Sequence, residues 1–173
     1  MTDTPIRSAS TLIILRNFAS RPQVLMGQRG SKAAFMPNKF VFPGGAVDTA
    51  DSAIRLAQPL TDRCHANLQQ DSTGPAPETL AVAAIRELWE ETGLMLGALE
   101  AWPDAPEAWA DFAKAGFRPS AANMYFFFAQ SLPRAHPDAL MRDFFWSMPI
   151  SYQVIWTISP MLLMNYRICN GSV

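Results

Sequence analysis

Apolar positions in this chain fall into short blocks separated by polar breaks that carry proline and glycine. Residues 11–15 (TLIIL) form a β-branched and leucine run, which predicts a buried strand. Residues 16–22 hold Asn, Ser and Pro and predict a turn, and residues 23–28 (QVLMGQ) predict a second strand closed by Arg29, Gly30 and Ser31. Residues 39–42 predict a short strand that runs into Pro43, Gly44 and Gly45. That triplet is expected to be a loop, because proline lacks an amide donor and paired glycines suit unusual backbone angles. Residues 78–92 predict a helix stopped by Gly93 as a left-handed cap. A second helix is expected over 106–115, capped by Asp104 or Ala105 and ended by Gly116. Trp102, Trp109 and Phe112 have near-helical spacing and are expected in the core, and the aromatic run 123–129 predicts a further strand. Between the glycine pair and the first helix, residues 46–77 are polar and mixed and close on Gly74, Pro75, Ala76 and Pro77. They read as an insertion, part helix and part loop, lying on the surface outside the core of the fold. Strands mixed with helices place the chain in the α/β class.

Composition narrows the setting. With 173 residues, the chain is long enough for one domain with a real core and too short for two comfortable ones. The apolar share of 49% and charged share of 17% fit a globular protein. A net charge of −1 without blocks of like charge argues against a nucleic-acid footprint or a polybasic membrane patch. Residues 148–164 are rich in Ile, Met and Leu, but Ser151, Gln153, Thr157 and Pro160 interrupt them, and a span needs about 20 largely apolar residues. Cys64 and Cys169 are too few and too isolated for a disulfide framework, and residues 1–10 lack a basic-then-apolar leader, so the expected address is cytoplasmic. Cys64 beside His65 does not amount to a metal site, which needs three or four ligands, and His136 reads as a surface histidine. Nothing in the sequence sets the oligomeric state.

Chemistry concentrates in residues 86–94, RELWEETGL. On a helix, Glu87, Glu90 and Glu91 stand at i, i+3 and i+4 and share one face, while Ala81, Ile85 and Leu88 fall on the neighbouring, core-facing side. Three carboxylates so placed repel one another, and Arg86 is expected to answer only one of them. Oxygen donors of this kind suit a hard divalent cation, Mg²⁺ or Mn²⁺. A solvated acidic face is the alternative that the glutamates alone leave open.

The stretch resembles the Nudix box, G-x5-E-x7-R-E-U-x-E-E-x-G-U with U a bulky aliphatic. Glu78, Arg86, Glu87, Leu88, Glu90, Glu91, Gly93 and Leu94 match it in order, type and spacing. Ser72 stands where the box has its first glycine, so Gly45, in Phe42-Pro43-Gly44-Gly45, is the candidate for that position, and residues 46–77 then replace five residues with 32. Such a split box is similar to the Nudix subgroup that includes the peroxisomal coenzyme A diphosphatase, and the resemblance covers about residues 10 to 128. It implies a Nudix fold, a mixed sheet sandwiched between helices, and metal-dependent hydrolysis of a pyrophosphate bond in a nucleoside diphosphate derivative. By the same resemblance Glu87, Glu90 and Glu91 would ligate Mg²⁺ or Mn²⁺, and Glu87 or Glu90 would help activate the attacking water. Arg86 would pair with a carboxylate and hold the helix geometry. Glu78 would play a structural part in the first turn, where the helix dipole favours a carboxylate. Arg29, Gly44 and Gly45 would face the substrate.

Leu25, Arg29 and Phe42 to Gly45 also resemble part of the coenzyme A signature of some Nudix hydrolases, L-L-T-x-R-[SA]-x3-R-x3-G-x3-F-P-G-G. Gly30, Ala34 and Asn38 depart from it. Coenzyme A or an acyl derivative is therefore the leading substrate, ahead of ADP-ribose and dinucleotides. A catalytically silent Nudix-like domain that binds a nucleotide without turnover is the second reading. Its support is the tail. Residues 1–130 read as the Nudix domain and 131–173 as an atypical tail, because the thirty residues from Phe144 to Val173 contain one charge, Arg167, where about seven are expected. Past about Phe128 the chain reads as an out-of-frame translation. The fold is then expected to be incomplete, poorly stable and weakly active, with no closing strand and helix and with an exposed sheet edge.

Overall fold

The computed structural model describes residues 7–17, 21–32, 37–70, 74–131 and 150–158, with residues 128, 130, 131 and 150–158 described by their backbone alone. Ala34, Ser72, His136, Cys169 and the tail on either side of residues 150–158 lie outside the described residues.

The apolar run at 11–15 is the centre of a longer strand, β1 (Arg7–Arg16). Its period-two pattern sends Leu12 and Ile14 into the core and leaves Thr11, Ile13 and Leu15 half-buried. The expected second strand divides in two. β2 (Gln23–Val24) pairs antiparallel with the end of β1, and β3 (Gly27–Gln28) pairs with β4 (Phe40–Val41). The break falls at Leu25 and Met26, after the Leu25 amide has donated to the Ile14 carbonyl.

The glycine pair is not a loop. Gly44–Ala46 is a strand, β5, antiparallel to β1 with Ser10 opposite Gly45 and Thr11 opposite Gly44. A side chain on Gly44 would collide with the Ser10 carbonyl and the Thr11 backbone, so glycine lets the two strands approach.

The insertion is not peripheral. It holds a 3₁₀ turn (Thr49–Ala53) and helix α1 (Asp62–Gln69), and it places Asp51, Ile54, Leu60, Cys64 and Leu68 among the buried residues. Its polar composition sits on the outward side of α1, while Cys64 and Leu68, four positions apart, face in. Residues 57 and 58 hydrogen-bond along Pro119 and Ala121, which ties the segment to the body of the fold.

Helix α2 (Pro77–Thr92) packs on β1 and β5. Its first half is buried all round, from Thr79 to Ile85, and alanines at 81, 83 and 84 keep that contact close. Pro77 opens it and Gly93, at φ +72°, closes it as expected. The expected second helix begins as a 3₁₀ turn (Glu107–Trp109) behind Pro106 and becomes α-helical only over α3 (Ala110–Lys114). Neither Asp104 nor Ala105 caps it. The turn stacks Trp109 on Trp89 and against Phe112, a cluster of large rings that favours the tighter start. β6 (Gly97–Leu99) and β7 (Phe117–Pro119) form a hairpin-like pair around it.

β8 (Met124–Ser131) extends the aromatic strand, and β9 (Ile150–Ile158) lies between it and β1, parallel to β1 and antiparallel to β8. The expectation that the tail supplies no closing strand is thus corrected. The run ISYQVIWTI is β-branched and aromatic, which suits a strand whatever its origin. The result is a mixed sheet in an α/β fold, in the order β2-β1-β9-β8, with β5 beside β2 on the edge of β1 away from β9. Among the described residues no helix is long and apolar enough to cross a membrane.

Candidate active site

The C-terminal half of α2 emerges from the core beside β5, so its last two turns carry the acidic face. Arg86 occupies the centre of that face. Its Nε donates to Asp51 Oδ1 at 2.9 Å and its Nη2 to Asp51 Oδ2 at 3.1 Å and to the Ala46 carbonyl at 2.9 Å. Nη1 donates to Glu87 Oε1 at 2.8 Å and to Glu90 Oε2 at 3.1 Å. Burial works against the charge of Arg86, but Asp51 and Glu87 outweigh it and hold the guanidinium protonated more firmly than usual. Arg86 therefore answers two of the three glutamates, not one, and Asp51 besides. A guanidinium presents five donors in a plane, and here its three nitrogens are divided between partners on two sides.

Glu91 stands apart from this network. Its Oε2 accepts from the Gly44 amide at 3.1 Å. Partial burial pushes its carboxyl above the ordinary range against the pull of the Gly44 amide, and Glu87 and Glu90 push it the same way. A carboxylate whose charge is disfavoured in this way is one that a cation would relieve.

Gly45 lies directly against Glu87, and a methyl group there would run into its carboxylate. The colliding atoms are the tip of a flexible side chain, whereas at Gly44 they are backbone. Gly44→Ala is thus expected to destabilise the fold by about 1–3 kcal/mol. Gly45→Ala should leave the melting temperature nearly unchanged but lower turnover about 10-fold by moving Glu87. Thermal melts and initial rates on the two variants check this, and equal losses of stability would contradict it.

Arg29 leads the turn between β3 and β4, where its backbone bonds to Lys39 and Asn38. Among the described residues its Nε is buried without a hydrogen-bond partner, and its charge is close enough to lower the pKa of Glu91. An unpartnered buried donor beside the acidic face is fit to receive an anion.

Among the described residues no three His, Cys, Asp or Glu side chains converge closely enough to hold a metal ion as they stand. The donor set nevertheless suits a hard cation. Glu87, Glu90 and Glu91 each keep one carboxylate oxygen outside the bonds above, and side-chain rotation on a fixed helix could turn those oxygens together.

The site brings together Arg86, Glu87, Glu90, Glu91, Arg29, Gly44 and Gly45 around the junction of β5 and α2. Glu78 is not part of it. It meets His65 Nε2 at 3.2 Å, linking α1 to the first turn of α2, and Cys64 points away to Phe126 and Met124. Asp51 is the residue that sequence reasoning missed, and the available signal was an acidic residue six positions after Gly45.

No family model matches the chain. It is 35% identical over 89 residues, 51% of its length, to the provisionally named nudix hydrolase 7 of Caenorhabditis elegans, and this covers 22% of that protein. It is 34% identical over 96 residues, 43% of its length, to acyl-coenzyme A diphosphatase NUDT19 of Gallus gallus, covering 25% of that protein. The chain thus spans about a quarter of the length of these curated relatives. A crystal structure of a NUDIX hydrolase from Alicyclobacillus acidocaldarius superposes with a TM-score of 0.60 at 22% identity, over 91% of this chain and 71% of that one.

Proposed function

From a Nudix fold and a sequence that resembles Nudix hydrolases, we infer that this chain hydrolyses the pyrophosphate bond of a nucleoside diphosphate derivative, with acyl-coenzyme A as its leading substrate. The observation that carries this reading is Glu91, a partly desolvated carboxylate that is pinned to Gly44 and lies within the field of Arg29, whose Nε has no partner among the described residues. An anion-binding donor and a charge-disfavoured carboxylate on one face are the two halves that a metal-dependent phosphate site needs.

Glu87, Glu90 and Glu91 would hold Mg²⁺ or Mn²⁺. When bound, such an ion neutralises phosphate oxygens and lowers the pKa of a coordinated water. The chain's own residues do the rest. Arg29 receives the diphosphate, and the glycines of β5 let that strand pack closely against β1 and against Glu87. Glu87 or Glu90 takes the proton of the attacking water as its oxygen bonds to phosphorus and the P–O–P bridge breaks. A nucleoside monophosphate and a phosphorylated remainder leave. The acyl-coenzyme A assignment is supported by the matched diphosphatase of Gallus gallus and by Leu25, Arg29 and Phe42 to Gly45. The two isolated cysteines support a cytoplasmic setting.

A second reading, a silent nucleotide-binding domain, is favoured by one observation: Arg86 already engages Glu87 and Glu90. A panel of acyl-coenzyme A, ADP-ribose and dinucleotides, assayed with Mg²⁺, with Mn²⁺ and with EDTA, separates the two. Turnover that is lost with EDTA, restored by metal and at least about 10-fold faster on acyl-coenzyme A supports the hydrolase. Binding without turnover on every substrate supports the silent domain, and turnover indifferent to EDTA overturns the metal site.

A further inference from the structure

We propose that Asp51, which lies inside the insertion, is a positioning residue of the metal site. It anchors Arg86 from behind so that Glu87 and Glu90 can be released to a divalent cation. The proposal rests on the reading that the glutamates of α2 hold such a cation.

Three observations converge on it. Asp51 is 2% exposed, a depth at which a carboxylate needs full compensation, and Arg86 supplies two of its hydrogen bonds. The third comes from the Asp48 amide at 2.8 Å, which closes a reciprocal cap on the 3₁₀ turn and fixes Asp51 in place. Second, the division of labour on the guanidinium is directional. Nε and Nη2 go to Asp51 and the Ala46 carbonyl, and only Nη1 is left for the two glutamates, so each gives up one oxygen to a shared donor. Remove the charge of Asp51 and the Nε and Nη2 hydrogens that it holds become available to Glu87 and Glu90, in direct competition with a cation, while the Ala46 carbonyl keeps its own. Third, five residues separate Gly45 from Asp51, the interval between glycine and first acid in G-x5-E, whereas Glu78 is turned to His65. The first acid of the box in this chain is Asp51, and the box breaks after it, not after Gly45.

The test is Mn²⁺ affinity of the full chain, read by electron paramagnetic resonance of the free ion and independent of turnover. Asp51→Asn is expected to weaken Mn²⁺ binding about 10-fold, and Asp51→Glu, which restores the acid of the motif, to recover most of it. In an Arg86→Gln background, Asp51→Asn should change the affinity by less than about 2-fold, because no guanidinium remains to be misplaced. Glu78→Gln should also leave it within about 2-fold. If Asp51→Asn alone fails to fold, Asp51→Glu and the comparison of Arg86→Gln with the double variant, which buries no unpaired charge, carry the test. Wild-type affinity in Asp51→Asn, an equal loss in the Arg86→Gln background, or a loss in Glu78→Gln as large as in Asp51→Asn would overturn the proposal. A wild-type chain that binds no Mn²⁺ sinks the hydrolase reading itself, and Asp51 with it.

Discussion

Glu91→Gln is expected to lower metal-dependent turnover by about 100-fold or more while leaving the metal-free protein at least as stable as the wild type. The two halves of that expectation have one cause. Burial, then Glu87 and Glu90, raise the Glu91 carboxyl above its ordinary value of 4.5 in the folded chain. A group whose folded pKa exceeds its unfolded one stabilises the fold only at low pH. That contribution is lost as pH rises from the unfolded value through the folded one. At neutral pH the ionised Glu91 therefore weighs against the fold, and a neutral glutamine removes the penalty. Its amide oxygen can still accept from Gly44. What glutamine cannot supply is the anionic donor a divalent cation requires. Urea unfolding at pH 7 in EDTA and initial rates in Mg²⁺ test both halves. Wild-type rates in Glu91→Gln would remove Glu91 from the site, and a large loss of stability would mean that the carboxylate serves the fold.

The acidic face could be read from sequence because everything that defines it is local. Glu87, Glu90 and Glu91 are set by helical spacing, and the helix ends where Gly93 takes a left-handed angle. β1 was legible for the same reason, since a run of Leu and Ile needs no partner to be recognised as buried. What failed was non-local. The partner of Arg86 lies 35 positions away in a segment whose average composition is polar, and one buried aspartate does not alter that average. The Ala46 carbonyl that completes the guanidinium's contacts has no side-chain signature at all. Paired glycines read as a loop because they allow one, yet here they allow the close approach of β5 to β1 on one side and to Glu87 on the other. The parallel pairing of β9 with β1 joins residues more than 140 positions apart, and neither strand's pattern names the other.

Arg86→Met should cost the folded chain about 3–5 kcal/mol, the largest loss of stability among the site substitutions considered. The argument starts from Asp51, whose side chain is 1% exposed and whose only cationic partner among the described residues is Arg86. Methionine matches the length of the stem but leaves that carboxylate buried with one amide donor, and desolvation is then uncompensated. On the outer side, Glu87, Glu90 and Glu91 lose the guanidinium that screens two of them and repel at i, i+3 and i+4. Adding Asp51→Asn to Arg86→Met should recover part of the loss, since breaking one member of a buried pair costs more than replacing both. Urea midpoints at an unchanged denaturant slope give the comparison for the two single variants and the double. A single-variant loss below about 1 kcal/mol would mean that Asp51 reaches water or another donor when Arg86 is gone. A double variant no more stable than Arg86→Met alone would place the cost in the glutamate face instead of the buried pair.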